Sequence, residues 1–148
     1  MRSFQRRLLL FLTVLSCLSC SIDDYETKSN EEYLQQYTEQ IGQSSFRIVD
    51  FTENELDLTD SYTNFVFSFD SVDDKVTVTA LSFSNEAPWL FYLDADSAFT
   101  FQMNFGNDAL LERLNGDWSI DIFLEEQFTL YRKDVSSGVV RYLTFQKI

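Results

Sequence analysis

Phe65-Val66-Phe67-Ser68-Phe69 and, after a short break, Val76-Thr77-Val78-Thr79-Ala80 decide the fold class of this chain. Both segments place an apolar residue at every second position. Successive side chains of an extended strand point to opposite faces, so this alternation predicts two strands with one buried face each. The polar stretch Ser71 to Asp74 between them has the composition of a turn.

The same period of two runs on in both directions. Phe46 and Ile48 alternate with Arg47, and Phe99, Phe101, Met103 and Phe105 with Thr100, Gln102 and Asn104. Trp118, Ile120 and Ile122 alternate with Ser119 and Asp121; Phe128 and Leu130 flank Thr129; Leu143 and Phe145 flank Thr144. Trp89 to Leu93 is a continuous apolar run instead. These segments predict about eight short strands, bounded by turns such as Asp94 to Ser97 and Ser136 to Gly138. Strands that follow one another without long helices point to a mostly β, antiparallel, up-and-down β-barrel, whose closure removes exposed edges. Two helices interrupt the pattern. Leu34, Tyr37 and Ile41 recur at helical spacing behind a Ser29 or Asn30 cap, with Gly42 as the stop. A second short helix is expected from Asp108 to Leu114, after an Asn107 cap.

The N-terminus reads differently. Arg2, Arg6 and Arg7 precede the apolar run Leu8 to Leu15, and small residues then surround Cys17 and Cys20. That run is too short to span a bilayer, which takes about 20 residues, so it predicts an export leader. A small residue followed by Cys at this place resembles the lipobox of bacterial lipoproteins. The resemblance implies cleavage before a cysteine that becomes the acylated N-terminus. Cys17 has the better apolar residue three positions upstream, Val14. Cleavage at Cys20 removes the other thiol and leaves Ser21-Ile22-Asp23-Asp24 behind the lipid, which resembles the export tag of surface lipoproteins in the Bacteroidota. Cys20 is therefore preferred, with Cys17 as the alternative. The expected organisation is a lipoprotein signal peptide over 1–20, an acidic tether and short helix over 21–44, and the barrel over 45–148.

Charge limits the partners. The chain has 11 basic and 24 acidic residues, and loss of the three leader arginines leaves 8 against 24, a formal charge of −16. Such a chain repels phosphate backbones and anionic lipid, so a nucleic-acid partner is not expected. The membrane contact is assigned to the N-terminal lipid.

The strand segments also carry a family resemblance. Phe46 to Phe51, Tyr62 to Phe69, Val76 to Ala80, Phe101 to Gly106, Leu114-Asn115-Gly116-Asp117-Trp118 and Tyr142 to Ile148 occur in this order. They resemble the lipocalin-like lipoproteins of flavobacteria and their relatives, over about Ser45 to Ile148. Phe46 departs from that pattern where Trp is usual, and Leu81 to Ala98 lacks the usual Gly-Thr-Trp strand. The resemblance implies a lipocalin- or calycin-like barrel on the outer membrane, exposed at the cell surface if the tag reading holds. It carries over no binding residue.

Chemistry is sparse. The chain has no histidine, which excludes Ser-His-Asp and Cys-His activation and His-containing zinc sites. No enzymatic activity, cofactor or metal is expected. The carboxylate pairs Glu125 and Glu126, or Asp94 and Asp96, read as solvated turns, as do Asp70, Asp73 and Asp74, the other conceivable calcium ligands. The aromatic residues leave two readings open. Phe67, Phe69, Trp89, Phe91, Phe99 and Phe101 line a cavity for a small apolar ligand, or they fill the barrel and make it an interaction or structural module of the envelope. In the second reading Trp89, Phe91 and Tyr92, next to Pro88, form an exposed patch for an envelope protein.

Overall fold

The structure, a computed structural model, describes residues 28–148. The leader, both cysteines and the tether up to residue 27 lie outside the described residues. Helix α1 (Asn30–Ile41) comes first, followed by β1 (Ser45–Glu53), β2 (Leu56–Asp57), β3 (Val66–Asp70), β4 (Lys75–Ala80), β5 (Phe83–Leu93), β6 (Phe99–Met103), β7 (Gly116–Phe123), β8 (Gln127–Lys133) and β9 (Val140–Lys147). The strand order is β2-β1-β3-β4-β5-β6-β7-β8-β9, with β1 also paired to β9. β2 is a two-residue flap on β1, so the other eight strands close into an antiparallel up-and-down barrel. The expected fold class is the observed one.

Closure runs along β1 and β9, from Phe46↔Lys147 to Glu53↔Arg141, across one β-bulge between Ile48 and Asp50. The bulge keeps Phe46, Ile48 and Phe51 all buried, as a strict alternation could not. β5 divides its partners: Phe83 to Pro88 pairs with β4, and Trp89 to Leu93 with β6. Pro88 sits at the hand-over, where β4 begins, so its missing N–H interrupts no continuous ladder.

The inward face is dominated by aromatic rings. Phe67, Phe101 and Phe145 are fully buried, and Phe46, Phe69, Trp89 and Phe128 nearly so. Phe145 lies 5.2 Å from Phe67, 5.8 Å from Phe69 and 4.9 Å from Phe128, centroid to centroid, so the rings meet across the barrel. The two tryptophans satisfy their indole N–H locally: Trp89 donates to the Asp70 carbonyl at 3.0 Å and Trp118 to that of Leu114 at 2.9 Å.

Helix α1 closes one end. Ser29 caps it by accepting from Glu32 N while Glu32 accepts from Ser29 N, a reciprocal pair that fixes the helix start. Ile41 is fully buried and Leu34 and Tyr37 pack on the core. Gly42 then lets the chain pass the β3–β4 turn: a Cβ there would stand 2.2 Å from Ser71 Cβ. The second expected helix is absent in that form. Asp108, rather than Asn107, holds the turn by accepting from Leu110 N and Leu111 N, and only a 3-10 turn, Glu112–Leu114, follows. Leu114 and the preceding Leu111 are fully buried and plug the opposite end.

Phe145→Ala should destabilise the domain by about 3–5 kcal/mol, the usual cost of emptying a ring-sized space in a core, as read by urea denaturation. Gly42→Ala should also destabilise it, by about 1–3 kcal/mol, because the backbone of Ser71 must shift to admit a methyl group.

Candidate functional site

The six residues proposed from sequence as ligand contacts all project into the barrel, and the structure brings them together. Phe69 meets Trp89 at 5.2 Å and Phe101 at 5.6 Å, Phe91 stacks on Phe99 at 5.7 Å, and Phe67 meets Phe145. Phe67 and Phe101 expose 0% of their surface and Trp89 1%, which leaves no water-sized void beside them. The rings fill the barrel.

Trp89 and Phe91 do not form the exposed patch considered from sequence. The run Trp89 to Leu93 is an ordinary alternating strand whose outward positions also happen to be apolar. Trp89 and Phe91 face inward, Tyr92 is half-buried, and Leu90 is exposed. A continuous apolar stretch conceals the period of two, so the sequence carried no sign of this.

The two ends of the barrel differ chemically. At the helix end, Tyr37 stacks on Phe123 with centroids 4.0 Å apart and also touches Phe91 and Phe99. A surface depression of about 370 Å³ lies here, lined by Gln36, Tyr37, Gln40, Phe123 and Lys147 among others. Phe99 and Phe91 are the least shielded of the six proposed contacts.

The far end carries a charged rim that sequence reading did not single out. Glu53, at the end of β1, accepts from Arg141 Nε at 2.6 Å and from Arg113 Nη1 at 2.7 Å. Arg132 lies directly across the β8–β9 ladder from Arg141, donates to the Asn115 carbonyl and stands over the Trp118 ring. Burial pushes the Glu53 carboxyl up, but the hydrogen bonds and charges of Arg141 and Arg113 outweigh that and hold it below the usual carboxylate range. Tyr62, buried beneath the rim, has its phenol pushed up, chiefly by desolvation. The residues concerned are 60 and 88 positions apart in sequence, which is why periodicity did not find them.

The acidic turns use their carboxylates internally. Asp70 accepts from Val72 N and Asp73 N, and Asp94 from Asp96 N and Ala98 N. Asp134 accepts from the Ser136 hydroxyl and from the N–H groups of Ser137 and Ser136, which hold its pKa at about 2. Among the described residues no group of three His, Cys, Asp or Glu side chains is placed to hold a metal ion. Nor is any helix among them long and apolar enough to cross a membrane.

Glu53→Gln should destabilise the domain by about 1–2 kcal/mol near neutral pH, as for a hydrogen-bonded, partly buried charge pair. Because the folded-state pKa is lowered, the wild-type advantage is present above the ordinary Glu range and is lost as pH falls through the folded value. Urea midpoints of both proteins across acidic pH should therefore converge.

No family model and no curated protein matches this chain.

Proposed function

We propose that this chain is an exported lipoprotein of a bacterial cell envelope, and that its filled barrel works as an interaction or structural module. The observation that carries the module reading is the interior: Phe67, Phe69, Phe101, Phe128 and Phe145 occupy the space in which a carrier barrel holds its ligand. Anchoring is supported by the sequence alone, through Arg2, Arg6 and Arg7, the run Leu8 to Leu15, and the small-residue settings of Cys20 and Cys17. Acylation at Cys20, with Cys17 the alternative, supplies the membrane attachment, since two or more chains hold firmly where one does not. The Ser21 to Asp24 stretch supports outer-membrane placement with exposure at the surface, where an envelope protein is the partner class.

A second reading keeps a small apolar ligand, and one observation favours it. Phe91 and Phe99 lie beneath Tyr37 at the helix end and are the least shielded of the six aromatic residues. A ligand there would lodge under α1 rather than in the barrel centre.

Mass spectrometry of the mature protein from a Gram-negative host tests both points. The expected N-terminal peptide begins at Cys20 and carries acyl mass; an unmodified peptide would remove the anchor. Native mass spectra of the purified domain should show no stoichiometric lipid. A stoichiometric apolar adduct, lost in Tyr37→Ala, would replace the filled-module reading by the carrier reading.

A further inference from the structure

The rim opposite α1 has an excess of cationic donors that the fold does not use. Of the four arginines in residues 28–148, Arg113, Arg132 and Arg141 gather at this one end. Each guanidinium offers five N–H donors. Among the described residues Arg141 donates only through Nε, and Arg113 and Arg132 each through one Nη. A single carboxylate, Glu53, serves two of them, and a different acid, Glu112, lines the adjoining depression. Like charges directly opposite on a ladder, as Arg132 and Arg141 are, cost stability.

The space beside these donors suits a small ligand. The depression measures about 470 Å³ and is lined by Arg113, Arg141, Asn107, Asn115, Glu112 and Gly106, within the usual range of about 300–1,000 Å³ for small-molecule sites. Gly106, at φ +61°, has no neighbour within 4 Å of where a Cβ would stand, so the wall on that side is open. Arg141 is held in place, its side chain 17% exposed, whereas Arg113 is 50% exposed and free to adjust. Planar guanidiniums in this setting bind carboxylate and phosphate oxygens in pairs of parallel hydrogen bonds.

From this geometry we infer that the rim is a binding site for a small oxyanion, a carboxylate or phosphate group carried by a water-soluble molecule, with Arg113 and Arg141 as its principal ligands. Arg132 adds charge from the neighbouring strand. Glu53 acts as the resident counter-ion that orients both guanidiniums and competes with the ligand.

The test follows the arginine Nε–Hε resonances by 15N NMR during titration with inorganic phosphate and, separately, with citrate. Ionic strength is held constant with chloride. Saturable shifts at Arg113 and Arg141 are expected with at least one probe, and the stronger probe identifies the oxyanion. Arg113→Gln alters a half-exposed side chain, leaves the core intact and should weaken binding by at least about tenfold, the loss of a charge-assisted bidentate contact. Arg47→Gln, an exposed change near the helix end of β1, should leave binding unchanged. Glu53→Gln should tighten it. Shifts that fail to saturate with either probe, or binding equally strong in Arg113→Gln, would overturn the proposal.

Discussion

Everything in this fold depends on the closure of β1 against β9. β1 touches β3 at only two register positions, Ser45↔Ser68 and Phe46↔Phe67, but runs the length of β9. Without that seam the meander would be an open sheet with two long edges and an exposed aromatic face, the arrangement most prone to aggregation. With it, residues near the start and the end of the domain share one core: Phe46 touches Phe69, Phe128 and Phe145. The C-terminal strand is therefore integral to the domain, since it supplies the other half of the seam.

Closure also dictates what each end can do. The rings fill the middle, and only the two ends are left to distinguish this barrel from any other. One is covered by α1, with Tyr37 stacked on Phe123; at the other, two guanidiniums, Arg113 and Arg141, converge on Glu53. The helix-covered end is also the end from which the chain leads back to residue 28, so the guanidinium rim lies at the opposite end of the barrel from α1.

The absence of histidine and the inward use of turn carboxylates bear on the same point. Asp70, Asp94 and Asp134 each spend their oxygens on backbone N–H groups of their own turns. They shape tight hairpins between successive strands, which is what a short-looped meander needs. The acidity of the chain is in part a consequence of how it turns corners.

Strand number, turn positions, the α1 helix and the buried identity of the Phe-rich face were legible in the sequence, because alternation and capping are local signals that need no partner. The run Trp89 to Leu93 was not legible, since apolar residues on both faces erase the period, and only pairing with Met103 to Phe99 shows which rings turn inward. Asp108 to Leu114 resembled a helix by composition, yet the end of the barrel holds one 3-10 turn, filled by its Leu114 and the preceding Leu111. The eventual filling of the barrel was also undecided in sequence, because the same aromatic residues can line a cavity or close one. The proposed anchor rests on residues 1–20 and is read from the sequence alone. The guanidinium rim is the opposite case: Glu53, Arg113 and Arg141 are brought together only by barrel closure, because no local pattern can encode contacts across that much chain.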